Sequence, residues 1–316
     1  MSATTRAVGQ SGRRYLVERI LQDKHMPHGL GRVYLALSDN QKYVLKKLSA
    51  TRYAYLEPLY DDVRSSPYVR VAADAIPDES MFAYTYFRGH LLGFTDKDVP
   101  LSITKQILKD ALRGIAALHH KDIVHTDIKP DNIMINWTEK NDGTIIIDRV
   151  QVADLEDSAY VPPDCDIIGR QVGNWMWRSP EAHASGAVQK PTDIFSFGIV
   201  CIYAITKHII FAVTDEELNE GEEKLAVVLE RQVSYFGDIE GMTGLLEHLK
   251  DNPWVGLYTL ILQAFGKENR PMQPIERWEM LEPDFKDLVK RMTSMDPGRR
   301  LTAYEALAHP WFADVP

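Results

Sequence analysis

The residues with the clearest chemical potential lie in one short segment, from His125 to Asn132. Within it, Asp127, Lys129 and Asn132 follow one another at spacings of two and three, and Pro130 stiffens the backbone. A carboxylate can orient a hydroxyl nucleophile, an ammonium group can neutralise charge on a moving phosphate, and an amide oxygen can ligate Mg²⁺. The segment therefore suits phosphoryl transfer.

A second candidate metal ligand is Asp154, which lies further along the chain than Asn132. It follows residues 147–153, a run that alternates between apolar and polar side chains and is typical of a half-buried strand. A carboxylate at the end of such a strand is where a second metal ligand is expected. We therefore predict that Asn132 and Asp154 bind Mg²⁺ together.

Strands are predicted in the first part of the chain and helices in the remainder. Apolar alternation at residues 32–37 and 43–46, with turn-forming residues between them, predicts a hairpin. Residues 53–63 carry apolar side chains at a helical period. Beyond residue 100, amphipathic or apolar segments predict helices at 102–120, 193–205, 222–234, 255–264, 282–293 and 303–308.

Composition and charge limit the possible functions. The chain has 316 residues, which is enough for two lobes with a shared core. Its net charge of −9 argues against nucleic-acid binding, which favours a basic surface, and is compatible with a basic protein substrate. The acidic run at residues 215–223 predicts a solvated loop or, as the functional alternative, a surface that recruits basic substrate segments.

Other sequence features concern compartment and membrane. The two cysteines, Cys165 and Cys201, fit a reducing compartment, so we expect a cytoplasmic or nuclear location. The longest apolar run, residues 194–205, is shorter than the roughly 20 residues that span a bilayer, so we expect a buried helix and no membrane attachment. Residues 1–13 are small, polar and basic, which predicts a flexible tail rather than a secretory signal.

Taken together, the pattern resembles the eukaryotic protein kinase catalytic domain over nearly the whole chain. Residues 125–132 resemble its catalytic loop, and residues 154–156 stand where the metal-binding Asp-Phe-Gly triplet belongs. Residues 179–181 resemble the Ala-Pro-Glu that closes the activation segment, and residues 193–198 match the start of the central helix of the large lobe. Arg300 fits the partner of the glutamate at the end of that closing triplet.

The resemblance implies an α+β, bilobal fold. Residues 14–87 would form a small lobe with an antiparallel five-stranded sheet and one helix, and residues 88–316 a large, mainly helical lobe. Residues 178–181 and 232–238 loosely resemble the branch that contains cyclin-dependent and splicing-factor kinases. The resemblance also implies ATP and Mg²⁺ as cofactors and a protein as substrate, and a monomer is favoured.

The catalytic roles that the resemblance implies fall on residues already named. Asp127 would accept the hydrogen bond of the substrate hydroxyl and, late in the reaction, its proton. Lys129 would lie beside the transferring phosphate, and it favours serine or threonine over tyrosine as the acceptor. Asn132 and Asp154 would hold two Mg²⁺ ions.

Nucleotide-binding residues are implied in the small lobe. Lys46 matches the strand lysine that binds the α- and β-phosphates, whereas Lys47 would face the opposite way because side chains alternate along a strand. Glu57, in the predicted helix, is the candidate partner of Lys46. The phosphate-covering loop retains only two of three expected glycines, which predicts weaker ATP binding. Gly29 and Gly31 are the expected loop glycines, and Val33 would cover the adenine. Tyr84 is the expected gatekeeper, and Thr85 and Phe87 belong to the expected hinge.

Three residues depart from the family pattern. Thr126 replaces an arginine that pairs with a phosphorylated residue, so we expect the activation segment to order itself without a phosphate on a residue such as Ser158. Glu156 replaces a glycine and should make the segment less mobile. Asn174 replaces a threonine that bonds to the catalytic aspartate, and its side-chain amide is expected to donate to Asp127 instead.

Two alternatives stay open beside a serine/threonine protein kinase. A pseudokinase, which is a nucleotide-binding or scaffolding module with the same fold, is favoured by the incomplete glycine pattern, by Thr126 and by Glu156. Against it, the full set of catalytic and phosphate-binding side chains is present. A small-molecule kinase would share the catalytic aspartate and asparagine but lack residues 179–181 and the helix that starts near Asp193.

Overall fold

The computed structural model describes residues 6–26, 29–265 and 271–316. Within these ranges the chain has a sheet-rich N-terminal part and a mainly helical C-terminal part, so the predicted bilobal α+β fold is confirmed. The predicted boundary at residues 87 and 88 falls in the link between the last strand of the large sheet and the strand that follows it.

The small lobe is built on one antiparallel sheet of six strands rather than the predicted five. The additional strand is the first, at one edge of the sheet. In spatial order the strands are β1 (Arg6–Val8), β2 (Arg14–Met26), β3 (Gly29–Ser38), β4 (Gln41–Lys47), β6 (Met81–Thr85) and β5 (Asp74–Ile76).

Residues 6–13 do not form the flexible tail that was expected. Strand β1 pairs with the start of β2, and the turn between them docks on a carboxylate far along the chain. Asp74 accepts hydrogen bonds from the Ser11 backbone N–H at 3.1 Å, from its hydroxyl, and from the Tyr15 hydroxyl at 3.0 Å. Gly9 fits this contact because a Cβ there would lie 1.9 Å from an Asp74 oxygen. The expected tail is therefore a sheet edge from residue 6 onward, and residues 1–5 lie outside the described ranges.

One helix, α1 (Ala50–Val63), covers one face of this sheet. It begins three residues before the predicted segment, where the Ser49 hydroxyl accepts the Arg52 N–H and caps the helix. The Tyr53 ring stacks on Phe82 of β6 with centroids 4.4 Å apart. The helix therefore packs on the same sheet face that carries the β6 aromatic side chains.

The large lobe contains the remaining helices among the described residues. Six of them agree closely in bounds with the predicted segments. The other three were not predicted: α2 and α4 are only four residues long, and the two glycines of α7 lower its helix propensity. The helices are α2 (Leu91–Phe94), α3 (Leu101–His120), α4 (Pro180–His183), α5 (Pro191–Thr206), α6 (Lys224–Phe236), α7 (Ile239–Leu249), α8 (Trp254–Ala264), α9 (Pro283–Met292) and α10 (Ala303–Leu307).

Helix α5 forms the centre of the large lobe. Nearly all of its residues are buried, including the apolar run 194–204, as the sequence predicted. Among the described residues, no helix combines the length and apolar character that a bilayer crossing requires.

Short strands position the loops that face the small lobe. A hairpin pairs β9 with β10, and its outer neighbour is β7; a separate two-stranded sheet pairs β8 with β11. Their bounds are β7 (Gly89–His90), β8 (Ile123–Val124), β9 (Ile133–Glu139), β10 (Ile145–Val152) and β11 (Ala159–Tyr160).

Candidate active site

The loop between β8 and β9 is anchored by a buried carboxylate of α5. Asp193 Oδ2 accepts the His125 N–H at 2.7 Å, and Oδ1 accepts the Thr126 N–H at 2.8 Å. The His119 ring nitrogen lies 3.0 Å from Oδ2. Thr126 has φ 68°, a left-handed conformation that costs a β-branched residue about 1–3 kcal/mol. Helix α5 therefore fixes the start of the loop and holds a strained residue directly before Asp127.

The structure brings together the three predicted catalytic residues. Asp127 Oδ2 accepts hydrogen bonds from Lys129 Nζ at 2.5 Å and from Asn132 Nδ2 at 3.2 Å. Asn132 Nδ2 also donates to the Asp127 carbonyl at 2.8 Å. The lysine and the amide thus hold one carboxylate oxygen of Asp127 in a fixed place.

The second oxygen of Asp127 is held by the activation segment, which runs from residue 154 to residue 181. The atom that holds it is not the one that was expected. The backbone N–H of Asn174 donates to Asp127 Oδ1 at 2.9 Å, whereas the Asn174 side-chain oxygen accepts the Met176 N–H. Gly173 makes this approach possible, because a Cβ there would lie 2.3 Å from the Thr126 carbonyl oxygen. The contact between residue 174 and Asp127 therefore exists without the side-chain amide that the sequence suggested.

Asn132 and Asp154 are adjacent, as the metal-site prediction requires. The Ala153 N–H donates to the Asn132 carbonyl at 2.8 Å, which places the following residue, Asp154, beside Asn132. Burial would raise the pKa of Asp154, but the Lys46 ammonium outweighs it and holds that pKa below its ordinary value. Asp154 is therefore ionised at neutral pH and can offer a carboxylate oxygen to a metal.

The donor set fits Mg²⁺. Mg²⁺ prefers oxygen ligands and is commonly held by one or two carboxylates together with substrate phosphates. Asn132 Nδ2 is occupied by Asp127, which leaves its Oδ1 for a metal, and Lys46 contacts only Oδ1 of Asp154. The described residues contain no group of three or more histidine, cysteine or acidic side chains suited to a metal, so phosphate oxygens would have to complete the shell.

Lys46 extends from β4 of the small lobe toward Asp154 of the large lobe, and the space between the lobes here is called the cleft below. It lies opposite Val33 in β3 and Phe82 in β6, and residues directly opposite in antiparallel strands share a face. Its Nζ lies 2.7 Å from Asp154 Oδ1 and also forms an ion pair with Glu156. Lys47 lies on the other face, where it pairs with Glu79 at 3.1 Å. The alternation argument therefore identified the cleft-facing lysine.

The expected pair between Lys46 and Glu57 does not form. Glu57 is an exposed residue of α1, and the ion pairs that the structure gives Lys46 are with Asp154 and Glu156. The helical period of residues 53–63 pointed to α1, but its inward positions are all apolar or aromatic. These buried positions are Tyr53, Leu56, Leu59, Tyr60 and Val63.

The predicted gatekeeper and hinge residues line the link from β6. Tyr84 is buried, burial raises its pKa to about 12, and its hydroxyl lies 2.6 Å from that of Tyr60. The Arg70 guanidinium lies over the Tyr84 ring at 4.9 Å and donates to the Thr85 carbonyl at 3.0 Å. Phe87 is also buried. Tyr84 is thus joined to α1 on the sheet face that also carries Lys46, and its role as gatekeeper stays a prediction.

The glycine loop falls at the β2–β3 hairpin. Gly29 pairs with Met26 and Gly31 with Lys24, so both glycines are in strand backbone. Residues 27 and 28, at the tip, lie outside the described ranges. The expected weak ATP binding by this loop stays a prediction.

The activation segment is tethered to both lobes next to the metal site. The Thr126 hydroxyl donates to the Asp157 carbonyl at 3.0 Å, and the Tyr55 hydroxyl of α1 donates to the Ser158 carbonyl at 2.9 Å. Ser158 is buried, and the Tyr160 hydroxyl donates to Asp62 of α1. The predicted order of this segment without a phosphate therefore has a structural basis in hydrogen bonds to side chains of α1 and of the catalytic loop.

The far end of the segment is closed by the predicted ion pair. Arg300 Nη1 and Nη2 bond to the two Glu181 oxygens at 2.7 and 2.8 Å, and both side chains are buried. Burial would raise the pKa of Glu181, but Arg300 outweighs it and holds that pKa below its ordinary value. Before this pair, Arg178 donates to the Val172 and Gly173 carbonyls. The segment is therefore fixed at both ends.

Comparison with known proteins agrees with this geometry. Residues 29–312 match the family model described as protein kinase domain. Calcium/calmodulin-dependent protein kinase cmkB of Emericella nidulans is 24% identical over 207 residues, which cover 65% of this chain and 39% of that protein. Serine/threonine-protein kinase/endoribonuclease ire-1 of Caenorhabditis elegans is 24% identical over 295 residues, 89% of this chain and 25% of that protein.

A cyclin-dependent relative is also similar. Cyclin-dependent kinase 4 of Xenopus laevis is 26% identical over 220 residues, 69% of this chain and 59% of that protein. The chain thus spans less than two thirds of the length of each of these three relatives. The family match confirms the resemblance found in the sequence: this chain belongs to the protein kinase domain family.

Proposed function

We propose that the chain transfers the γ-phosphate of ATP to serine or threonine hydroxyl groups of protein substrates, with Mg²⁺ as the metal. The observation that carries this proposal is the environment of Asp127. Both of its carboxylate oxygens are held by donors that a transferred phosphate and its acceptor would also contact: Lys129, Asn132 and the Asn174 N–H. A surface turn would not require this set of donors around both oxygens of one carboxylate.

In this mechanism Asp127 orients the acceptor. It accepts the hydrogen bond of the substrate hydroxyl and takes its proton late in the reaction. The hydroxyl oxygen forms the new bond to the γ-phosphorus while the bond from that phosphorus to the bridging oxygen of ADP breaks. Lys129, 2.5 Å from the Asp127 carboxylate, neutralises negative charge on the group in transfer.

The remaining residues bind the nucleotide and its metal. Asn132 and Asp154 would hold Mg²⁺ through their side-chain oxygens, and Lys46 would bind the α- and β-phosphates. When bound, Mg²⁺ neutralises phosphate charge and orients the transferring group. Val33 covers the adenine, because it shares the Lys46 face of the sheet, and Tyr84 limits the depth of the pocket.

A preference for basic substrate segments is a finer part of the proposal. Within the acidic segment 215–223, Asp215 pairs with Lys224 at 2.7 Å and Glu217 pairs with Arg231. Three further acidic residues of this segment are exposed to solvent: Glu216, Glu220 and Glu223. A positional peptide library should show enrichment of lysine and arginine away from the acceptor, and charge reversal of these three residues should remove it.

The activity is tested with radiolabelled ATP, Mg²⁺ and a library of serine- and threonine-containing peptides. Wild type should label peptides, and Asp127→Asn should lower the rate by about 10²–10⁴-fold, because it removes the base. Thermal shift measured in parallel should show that Mg²⁺ and ATP stabilise both proteins. Equal labelling by wild type and Asp127→Asn would exclude the proposed role of Asp127.

The same experiment separates a kinase from a scaffolding pseudokinase. A pseudokinase would give the ATP-dependent thermal shift but no labelling above the Asp127→Asn background. The observation that favours this second function is Glu156, a carboxylate that stands in place of the family's glycine beside the candidate metal site.

A further inference from the structure

Helix α1 offers no carboxylate to the cleft. Its buried side chains are apolar or aromatic, and Glu57 is exposed. Beside Glu156 and Asp157, the charged residue that α1 brings is a cation, Arg52, whereas Asp62 of α1 accepts the Tyr160 hydroxyl further along the segment. The Arg52 guanidinium donates to the Glu156 carbonyl and lies 2.9 Å from Asp157 Oδ1. The sign of the charge on this side of the cleft is therefore the reverse of the one expected from the sequence.

The carboxylate that meets Lys46 comes instead from the segment after Asp154. Lys46 Nζ contacts Asp154 Oδ1 at 2.7 Å and Glu156 Oε1 within ion-pair distance. The Lys46 and Glu156 side chains are only 26% and 19% exposed, so the pair is shielded from solvent more than a surface ion pair would be. Burial would lower the pKa of Lys46, but the carboxylates of Asp154 and Glu156 outweigh it and raise that pKa.

The backbone holds Glu156 in this position. Asp154 adopts a left-handed conformation, φ 67°, and a single 3₁₀ turn over Leu155–Asp157 follows. Leu155 is fully buried. The Asp157 carbonyl is held by the Thr126 hydroxyl at 3.0 Å, and the Glu156 carbonyl is held by Arg52. Contacts from both lobes thus fix the turn that aims Glu156 at Lys46.

Because two carboxylates contact Lys46, one of them can bind a metal while the other continues to hold the lysine. A metal bound through the second oxygen of Asp154 would weaken the attraction of that carboxylate for Lys46, whereas Glu156 would keep its contact. The Lys46 ammonium has three donors, so it can keep its ion pair with Glu156 while its donors bind phosphate oxygens.

We propose that Glu156 is the positioning residue for Lys46, and that α1 contributes Arg52 to hold the segment instead of a carboxylate to hold the lysine. This inference rests on the proposed function, because it assigns Lys46 to the ATP phosphates. It makes the geometry of Lys46 depend on the segment after Asp154 rather than on the approach of a glutamate from α1.

The test is a set of Mg²⁺–ATP dissociation constants from isothermal titration calorimetry. Glu156→Gln should weaken binding by about tenfold because it removes the charge that holds Lys46. Glu156→Gly, which introduces the residue the family usually carries, should weaken binding at least as much. Glu57→Gln is the matched control in α1 and should stay within about twofold of wild type.

A double-mutant cycle asks whether Glu156 acts through Lys46. Lys46→Met alone should weaken binding, and Glu156→Gln added to Lys46→Met should cause no further loss. An equal loss from Glu156→Gln in both backgrounds would overturn the inference, as would wild-type affinity in Glu156→Gln and Glu156→Gly. Thermal unfolding of each variant without nucleotide identifies folded protein, and Glu156→Asp should bind with intermediate affinity.

The failure of the proposed function has a different signature. If folded wild type and Lys46→Met bind Mg²⁺–ATP equally, Lys46 does not bind the phosphates and the proposed function itself is wrong in this respect. If Lys46→Met weakens binding but Glu156→Gln does not, only the role of Glu156 is wrong.

Discussion

The catalytic loop of the large lobe and strand β4 of the small lobe bring charged groups to the same cleft by different means. Asp127 is held mainly by residues close in sequence and by a backbone N–H, and its loop is anchored by backbone bonds to Asp193. Lys46 is held by side-chain carboxylates more than 100 residues away along the chain.

This difference explains which part of the pattern varies. A carboxylate bonded to backbone N–H groups depends on the path of the chain, so its position cannot easily move to another element. An ammonium ion needs only a carboxylate within reach, and Glu156 supplies one. The catalytic loop therefore retains the arrangement of Asp127, Lys129 and Asn132, whereas Lys46 meets a carboxylate from a different element than the family resemblance implied.

Breaking the buried ion pair of the large lobe should have the largest effect. Arg300→Leu leaves Glu181 buried and without its cation, so we expect a loss of about 3–5 kcal/mol in the free energy of unfolding. Arg300→Lys should recover only part of it, since an ammonium cannot replace the bidentate contact. The measurement is equilibrium unfolding in urea.

The neighbouring arginine provides the control. Arg299 pairs with Glu240 at the surface, with side chains 46% and 73% exposed, so Arg299→Leu should cost under about 1 kcal/mol. Similar losses for the two arginine variants would contradict the contrast between buried and exposed charges.

His183 in α4 should produce a pH-dependent effect of intermediate size. It is fully buried, and burial, followed by the nearby Arg178 charge, lowers its pKa from 6.5 to about 3. Between these values the unfolded chain binds a proton that the folded chain does not, so stability falls as the pH drops below about 6.5. At pH 5 the loss relative to pH 8 from this residue is about 2 kcal/mol.

The contribution of His183 is isolated by comparing urea unfolding at pH 5 and pH 8 in wild type and His183→Leu. The variant should lose less stability on acidification than wild type does. His208→Leu, at an exposed position, is the control and should lose as much stability between pH 8 and pH 5 as wild type does. An unchanged pH dependence in His183→Leu would show that His183 is not held neutral.

The smallest effect is expected at the cleft, from the contact between α1 and the activation segment. The Arg52 and Asp157 side chains are 45% and 56% exposed, so Arg52→Ala should cost under about 1 kcal/mol. Raising the NaCl concentration to about 1 M should screen the pair and remove most of the difference from wild type. A larger loss of stability that does not depend on salt would show that this contact behaves like the buried ion pairs of the large lobe.

The sequence was sufficient where spacing or alternation determines geometry. Asp127, Lys129 and Asn132 are close in sequence, so their meeting follows from the local chain path. Strand alternation separated Lys46 from Lys47. The pairing of Glu181 with Arg300 came only from the family resemblance, because no local pattern links them.

The errors concern contacts that only the folded chain creates. Glu57 was chosen for its helix, but helical period does not reveal which face meets the cleft, and the turn that aims Glu156 depends on the left-handed backbone of Asp154. Residues 6–13 appeared flexible because their order depends on Asp74, which lies in a different strand. In each case the partner is distant in sequence and leaves no local signal.

Ser158 shows what such tethering means for control of the protein. Its side chain is only 3% exposed, and its carbonyl is engaged by Tyr55. A modifying enzyme must draw its target into an extended stretch, so adding a phosphate here would first require the segment to detach from α1 and the catalytic loop. A phosphate at this residue would therefore be compatible only with a segment that has left its contacts with Tyr55 and Thr126, which lie next to the turn at residues 155–157.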